Sequence, residues 1–329
     1  MADFINISEW NEKEHLQTGG TRNKSVVENP KTLDLYFFKT SLKKIKMDYK
    51  YEFWTEIIAS KIGKELEFNV LDYNIAYKNG EIGCLSKLMN NSDKEELFEG
   101  INYLQGFDAE YIPTDKSQYN KYTFKFICDA LKHYSLYDQI ENLIKTIIFD
   151  SIIGNGDRHQ ENWGFIVTTP VLSRSNISIF IRTLINVILK IKVNATDNIK
   201  IDYSPIYDNG SCLGRELEEE KVNQMLKDNN MLNTYINRGT SEIHWEDKKL
   251  NHFELIKNIY NQEKYKNVVE NEIKRIEKIF NEKKIKEIVN EIDNKLPTNL
   301  SEHMLPKNRK ELIVKIISLR FNNLKNIIK

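Results

Sequence analysis

One short run of the sequence carries an acid and an amide at a spacing that phosphoryl transfer uses. Residues 154 to 165 have the sequence Gly-Asn-Gly-Asp-Arg-His-Gln-Glu-Asn-Trp-Gly-Phe, so Asn162 follows Asp157 by five positions. In kinase catalytic loops the carboxylate accepts the proton of the attacking hydroxyl, and the amide binds Mg²⁺. The run lies between the apolar stretches Leu143 to Ile153 and Trp163 to Val167, which predict a helix and a strand. This context favours a phosphotransferase.

The same residues also suit an ordinary turn. Gly, Asn and Asp dominate turns for conformational reasons, so Asn155, Asp157 and Asn162 could simply form a polar turn at the end of a helix. A short motif on its own carries a large risk of coincidence. The rest of the chain must therefore supply the other groups that the chemistry needs.

A lysine that holds the nucleotide's phosphates and a glutamate that holds the lysine are two of these groups. Lys39 ends the predicted strand Leu33 to Lys39. On the predicted helix Tyr51 to Ile62, Glu52 and Glu56 are one turn apart and so share a face. A strand-end lysine and a solvated helix face would give the same pattern without any function.

A second metal-binding carboxylate is expected after the catalytic loop, at the end of another strand. Asp208 follows the predicted strand Ile199 to Tyr203 and takes the place of the aspartate in a D-F-G motif, with Asn209 in the place of the phenylalanine. This replacement argues against regulation by an aromatic flip, but not against metal binding. Out of context, Asp-Asn-Gly is an ordinary turn.

A loop that covers the phosphates would complete the set. The chain has no G-x-G-x-x-G; instead residues 18 to 25, Thr-Gly-Gly-Thr-Arg-Asn-Lys-Ser, offer backbone N–H groups and two cations to an anion. This motif is weak, and a surface loop would look the same. The order of the parts is more specific, because loop, lysine, glutamate, catalytic loop and aspartate follow one another as in a kinase. Independent turns would seldom produce that order.

The remaining pattern predicts an α+β protein with a protein-kinase-like, two-lobed fold. Residues 66 to 77 and 81 to 88 are predicted strands joined by a turn at Asn79-Gly80. They complete a small, β-rich N-lobe with one helix, residues 1–90. Residues 91–329 are predicted to form a larger, mostly helical C-lobe, with helices in the ranges 122–134, 139–153, 253–292 and 311–328.

Charge and cysteine content limit the partners and the compartment. The 48 basic and 48 acidic residues leave no net charge to draw the chain onto nucleic acid or an anionic membrane. Cys84, Cys128 and Cys212 are widely spaced, which argues against a disulfide framework or a zinc site. Residues 1–16 show no signal-peptide pattern. We expect a cytoplasmic protein, and export without a cleavable signal stays open.

Residues Ile177 to Val193 are the one stretch that requires a test for a membrane role. Arg182, Asn186 and Lys190 interrupt it at every fourth position, which predicts a polar stripe along one helix. Its 17 residues are at the lower limit of a membrane span. We expect an amphipathic helix packed on the body, and two paired strands are the alternative.

Together these residues resemble the HipA-like serine/threonine kinases, particularly the short, CtkA-like members. The resemblance extends over about residues 18 to 215. It implies a protein-kinase-like fold, ATP and Mg²⁺ as cofactors, and a protein substrate. The residues that carry it are 20–25 (Gly-Thr-Arg-Asn-Lys-Ser), Lys39, Glu52, the run 154–165, and 205–211 (Pro-Ile-Tyr-Asp-Asn-Gly-Ser).

The matching positions imply a role for each residue. Asp157 would be the catalytic base, Lys39 the phosphate-binding lysine and Glu52 its partner, while Asn162 and Asp208 would bind the metal. The residues implied on the nucleotide side, in addition to Lys39, are Gly20, Thr21, Arg22, Lys24 and His159, of which His159 would support the loop rather than do chemistry.

Ser25 matches a serine that HipA-like kinases autophosphorylate to switch themselves off. A phosphate there would add about two negative charges beside those of ATP and oppose its binding. A serine that only stabilises a turn is the alternative.

The chain departs from full-length HipA toxins in two respects. It lacks an additional N-terminal subdomain, so toxin behaviour and an antitoxin-like partner stay open. It also carries an insertion, about residues 170–198, that could shape substrate access.

Two other functions are compatible with the motifs. The order Asp-Arg-His followed by Asn also resembles phosphatidylinositol kinases, so a lipid kinase is the enzyme alternative. An inactive kinase relative that binds a nucleotide or a partner is the alternative from another class, although every base and metal residue is present.

Overall fold

The computed structural model of the chain describes residues 1–14, 24–44, 47–89, 94–168 and 199–329. Gly20, Thr21 and Arg22 of the predicted phosphate loop lie outside the described residues. The segment Ile177 to Val193 and the rest of the insertion lie outside them as well. The predictions made for these residues therefore stay predictions.

The N-terminal part of the chain is built on a six-stranded sheet. Its six strands are β1 (Phe4–Asn6), β2 (Asn11–Glu12), β3 (Lys24–Glu28), β4 (Leu35–Thr40), β7 (Asn74–Lys78) and β8 (Glu81–Lys87). The strands β5 (Lys43–Lys44) and β6 (Met47–Asp48) form a separate two-stranded sheet. The order in the sheet is β1-β7-β8-β4-β3-β2, and every neighbouring pair is antiparallel except β1 with β7. The predicted Asn79-Gly80 hairpin joins β7 to β8.

The register of the central strands decides which side chains face the interior. Lys24 lies opposite Lys39, and Lys39 lies opposite Cys84. Directly opposed residues of an antiparallel pair point to the same face of a sheet. Both lysines therefore face the side on which helix α1 (Glu52–Glu65) packs, while Ser25, opposite Phe38, faces the other side.

Helix α1 runs three residues beyond the predicted end at Ile62. Gly63 lies inside the helix, at a position where a Cβ would stand 2.5 Å from Cγ1 of Val70. The glycine thus permits close packing and does not stop the helix. Trp54 and Ile58 of the same helix are fully buried, so α1 is a central element of the core.

The first half of the predicted strand 66–77 is wrong. Phe68 and Val70 are buried in alternation, as in a strand, but only Val70 forms a bridge, to Ile206. Glu67 has φ 57°, in the left-handed region, which interrupts an extended backbone. The alternation instead reflects packing beneath α1, where the ring of Phe68 lies 4.9 Å from that of Phe149.

Most of the described residues after residue 100 are helical, and the helices below are those of the described ranges. The helices are α2 (Gly100–Phe107), α3 (Phe124–His133), α4 (Ile140–Ile153), α5 (Glu219–Lys227), α6 (Asn229–Arg238), α7 (His252–Tyr260), α8 (Glu263–Ile279), α9 (Glu282–Asn290) and α10 (Lys307–Lys325). The predicted α+β class with a β-rich N-terminal part and a helical remainder is confirmed. The division of the chain at residue 90 stays a prediction.

A small antiparallel sheet accompanies these helices. It consists of β9 (Glu95–Glu99), β10 (Gly164–Thr168) and β11 (Lys200–Tyr203), in the order β11-β10-β9. Thr168 at the end of β10 lies opposite Lys200 at the start of β11. The two strand ends that flank the insertion are therefore neighbours. Among the described residues, no helix is long and apolar enough to cross a membrane.

Candidate active site

The catalytic loop begins where α4 ends. Gly154 terminates this helix with φ 71°, a conformation that glycine adopts without steric penalty. The buried Asn155 then donates from Nδ2 to Asp150 at 3.1 Å and accepts the backbone N–H of Asp157 at Oδ1, 3.2 Å away. The carboxylate of Asp157 accepts a hydrogen bond from Ser211 Oγ at 2.9 Å. Asp157 is thus oriented both through its own backbone and by Ser211. Ser211 belongs to residues 205–211, which contain Asp208 and are called the Asp208 segment below.

Arg158 joins the catalytic loop to the Asp208 segment. Its guanidinium is fully buried and forms a bidentate pair with Asp150, at 2.9 Å from Nε to Oδ2 and 2.7 Å from Nη2 to Oδ1. Nη1 donates to the backbone oxygens of Asn162, at 2.7 Å, and Tyr207, at 2.6 Å. Because one nitrogen atom binds both carbonyls, residues 162 and 207–208 are held side by side. Paired, bidentate contacts of this kind are geometrically specific.

Asn162 presents its side-chain oxygen as a ligand atom. Its Nδ2 donates to the backbone oxygen of Asp157 at 2.7 Å, which fixes the orientation of the amide. Its Oδ1 forms no hydrogen bond with any residue in the described ranges. Asp208 has φ 53°, which is uncommon for a residue other than glycine, and backbone strain of this kind clusters at functional sites.

Lys39 lies between two carboxylates. Its Nζ is 3.0 Å from Oε2 of Glu56 and 2.5 Å from Oδ1 of Asp208. Glu56 also accepts the backbone N–H of Asn209 at 2.6 Å. Lys24 adds a second cation, with its Nζ 3.8 Å from Oδ2 of Asp208. Two ammonium groups therefore converge on Asp208, which is the charge arrangement that a polyphosphate and its metal ion would need.

The prediction that Glu52 holds Lys39 is wrong, because Glu56 occupies that position. Glu52 pairs with Arg215 and accepts the backbone N–H of Leu42 at 2.9 Å. The two glutamates do share a face of α1, as predicted. One helical turn, about 5.4 Å, separates them, and only the second reaches the lysine. The spacing of the two glutamates along the helix does not show which of them contacts the lysine, because residues four apart share the same face.

A further carboxylate, Glu99 at the end of β9, was missed by sequence reasoning. Burial, together with the carboxylates of Glu161 and Asp208 and against the charge of Lys24, raises the pKa of Glu99 to about 7. Perturbed pKa values cluster at functional sites. The strand that ends at Glu99 was not predicted, so no signal in the sequence pointed to this residue.

The oxygen donors at this site fit a hard divalent cation. In the described part of the chain, no three His, Cys, Asp or Glu side chains are arranged to hold a metal by themselves. Mg²⁺ is usually bound through one or two protein groups together with phosphate oxygens and water. Asn162 and Asp208 are the amide and carboxylate groups available for that purpose.

Two predicted residues occupy less direct positions. His159 accepts the backbone N–H of Glu161 at Nδ1, 3.3 Å away, and so shapes the loop; a contact with the nucleotide stays a prediction. Ser25 lines a cavity of about 350 Å³ together with Lys78, on the sheet face opposite to Lys39. A phosphate on Ser25 would not face Asp208 in this arrangement. Its regulatory role stays a prediction.

His252 and Arg320 support the catalytic loop, and neither was found from the sequence. Nε2 of His252 lies 2.9 Å from the backbone oxygen of Asn155, and Nδ1 lies 3.0 Å from Nη2 of Arg320 and 2.9 Å from the backbone oxygen of Gly239. Burial, followed by the charge of Arg320, lowers the pKa of His252 to about 3. The ring is therefore neutral. A hydrogen on Nε2 would be donated to Asn155 and would leave Nδ1 to accept from Arg320, whereas a hydrogen on Nδ1 would be donated to Gly239.

Comparison with known proteins identifies the fold. No family model and no curated protein matches the chain. Among solved structures it is similar to the Helicobacter pylori proinflammatory kinase CtkA, with a TM-score of 0.70 and 19% identity over 99% of this chain and 97% of that one. It is also similar to HipA of Shewanella oneidensis MR-1, solved with HipB and operator DNA, with a TM-score of 0.50 and 11% identity over 95% of this chain and 67% of that one. These likenesses confirm the predicted resemblance to HipA-like, CtkA-like kinases at the level of the fold.

Proposed function

We propose that the chain is a protein kinase that transfers the γ-phosphate of ATP to a serine or threonine hydroxyl in the presence of Mg²⁺. The observation that carries this proposal is the network of Arg158, which holds the Asp157–Asn162 loop against the Asp208 segment. An ordinary polar turn does not require a buried guanidinium that ties it to a second acidic segment. The kinase-like fold supports the same assignment.

Each side chain then has a part in the transfer. Asp157 accepts the proton of the acceptor hydroxyl as its oxygen bonds to the γ-phosphorus and the bond from that phosphorus to the β–γ bridging oxygen breaks. Asn162 and Asp208 would hold Mg²⁺, which neutralises charge on the phosphates when it is bound. Lys39 binds phosphate oxygens while Glu56 keeps it in place. ADP leaves with the bridging oxygen.

Incubation with γ-labelled ATP tests the proposal directly. The wild type should label a generic protein mixture, whereas Asp157→Asn should lose about 10²- to 10⁴-fold in rate, as expected for loss of a general base. Asp208→Asn should lose activity in a way that added Mg²⁺ partly restores. Asp138→Asn, at an exposed aspartate with no ion pair to any described residue, is the matched control and should retain activity.

Two outcomes would contradict the proposal. Label that enters only phosphoinositide vesicles would show a lipid kinase. Equal incorporation by the wild type and Asp157→Asn, including self-labelling, would show an inactive relative.

HipB accompanies HipA in its structure, so an antitoxin-like partner is part of the proposal. Such a partner would copurify with the chain from its native host.

A further inference from the structure

A cavity of about 460 Å³ opens beside Asp157. Its walls come from the catalytic loop, from residues 211–216, from the end of α6 and from α10. The side chains proposed for the nucleotide, Lys39, Asn162 and Asp208, do not line it. The catalytic base therefore faces a second space, separate from the nucleotide groups. An acceptor hydroxyl must approach Asp157 from such a space.

The cavity lining carries charges of both signs. In addition to Asp157, its lining contains three guanidinium groups and one carboxylate, which are Arg215, Arg238, Arg320 and Glu216. Arg215 is neutralised by Glu52, and Glu216 accepts a hydrogen bond from Tyr235 at 2.8 Å. Arg238 and Arg320 are therefore the two cations of the lining that pair with no carboxylate among the described residues.

Arg238 is the group most available to a ligand. It is the last residue of α6, it is exposed, and it forms no ion pair with any residue whose position the structure describes. Its position at the rim of the cavity places a planar donor group next to the approach to Asp157. Such a group matches the geometry of a carboxylate or a phosphate.

Arg320 adds positive charge at the floor of the cavity. Its side chain is 2% exposed and donates to the backbone oxygens of Ser151, at 2.6 Å, and Ile236, at 3.0 Å. These carbonyls belong to the last turns of α4 and α6, which offset part of the charge. No carboxylate in the described ranges pairs with it. Burial lowers its pKa to about 10, so it stays charged at neutral pH.

Two glycines allow the backbone to approach the guanidinium of Arg320 closely. A Cβ on Gly154 would stand 3.2 Å from its Cζ, and a Cβ on Gly239 would stand 3.2 Å from its Nη1. Both distances are tighter than ordinary van der Waals contact. The two backbone segments that flank the cavity floor therefore approach the cation closely without a side chain between them.

We propose that this cavity binds the acceptor segment of the protein substrate and selects a hydroxyl that has an acidic side chain close to it in sequence. Arg238 pairs with that acidic side chain, and Arg320 makes the floor of the cavity favourable to negative charge. The inference deepens the proposed function and depends on it. Because Arg238 is exposed, its contribution falls mainly on substrate capture, hence on KM more than on kcat.

A degenerate peptide library tests the selection without a known substrate. Each peptide carries a central serine with one flanking position fixed as Glu, Gln, Lys or phosphoserine, and the library scans all flanking positions. The wild type should prefer Glu to Gln by about tenfold at one or two positions, and Lys should be disfavoured there. A larger gain with phosphoserine would identify phosphate rather than carboxylate as the source of the charge, and it would support the same site.

A charge reversal then assigns the selection to Arg238. Arg238→Glu should prefer Lys at the same positions, with the change in KM, and Arg238→Gln should show no preference. Lys227→Glu makes the same change at the exposed last residue of α5, outside the cavity, and should behave as the wild type. Circular dichroism confirms that each variant is folded.

The failure of this inference can be distinguished from that of the proposed function. A wild type that labels peptides with equal kcat/KM for Glu, Gln and Lys, or with a preference for Lys, would overturn the acidic selection alone. A preference for Glu that survives Arg238→Glu would overturn the assignment to this cavity. A wild type that transfers phosphate to no peptide, protein or residue of its own would overturn the kinase assignment on which the inference depends.

Discussion

Lys39 shows how the role of one residue depends on the partners that surround it. The residue is 8% exposed, and its ammonium group contacts Glu56 and Asp208. A buried charge is stable only when it is paired, and removal of one partner leaves the others uncompensated. Glu56 therefore both supports the lysine and, through the backbone N–H of Asn209, fixes the segment that carries Asp208.

Substitution of Glu56 and of Glu52, one at a time, separates support of Lys39 from support of the fold. Glu56→Gln should lower kcat/KM by about 100-fold, because Lys39 would lose the carboxylate that positions it and a misplacement of about 1 Å costs a rate factor of this order. Glu52→Gln should lower the free energy of unfolding through the loss of its pair with Arg215, with a much smaller effect on kcat/KM. Steady-state kinetics and urea unfolding measure both quantities. A greater kinetic loss in Glu52→Gln would restore the first assignment of the partner.

At the scale of elements, the catalytic loop is supported by helices far from it in sequence. His252 is the first residue of α7, and Arg320 belongs to α10. Together they bind the backbone at Asn155, at Ser151 in α4, and at the end of α6. A displacement of α7 would therefore reach Asp157 through two hydrogen bonds, and one of α10 through three. The geometry of Asp157, the proposed base, therefore depends on the packing of the helical part of the chain.

The buried His252 predicts a loss of stability in acid. Its pKa is about 3 in the folded protein, against 6.5 for an ordinary histidine. Between these values the unfolded chain binds a proton that the folded chain does not, so the free energy of unfolding falls as the pH decreases from about 6.5 towards 3. The slope approaches about 1.4 kcal/mol per pH unit well below 6.5.

His252→Gln should remove this contribution to the pH dependence. The variant should be less stable than the wild type at pH 7.5, because it loses part of the bonding to Asn155 and Arg320. The difference between the two should shrink as the pH is lowered to 6 and then 5. Urea unfolding at the three pH values measures it. Parallel curves would show that His252 is not held neutral in the folded state.

At the scale of the whole molecule, local sequence patterns predicted those helices and strands whose apolar residues recur regularly and whose end is marked by a turn or capping residue. The Asn79-Gly80 turn gave the β7–β8 hairpin, and the apolar run before Gly154 gave α4 with its end. Asp157, Asn162 and Asp208 were found because spacing within one loop, and order along the chain, are properties of the sequence itself.

Contacts between distant segments could not be predicted in this way. The choice of Glu56 over Glu52 depends on how α1 lies against β4, and the irregular path of residues 66–73 depends on packing against α4. His252 and Arg320 are 68 positions apart, and no local pattern records that they meet. These features arise from tertiary packing, which a single sequence does not display.

The neighbouring ends of β10 and β11 have a consequence for chain entropy. Thr168 and Lys200 are already opposite each other, so closing the intervening segment costs free energy that grows only with the logarithm of its length, about 0.6 kcal/mol per doubling. Replacement of residues 169–198 by a short Asn-Gly turn, with Ile199 retained, should give a chain at least as stable in urea as the wild type. A variant that fails to fold would show that the deleted residues contribute to the core.

If the shortened chain folds, the length of this segment is free to vary without altering the register of the sheet. Retained peptide phosphorylation by the shortened chain would exclude the predicted role of the segment in substrate access. Homologous proteins could then gain or lose tens of residues at this point while the phosphotransfer groups keep their places. The hairpin would be a site where evolution can add new binding properties to a catalytic unit that stays the same.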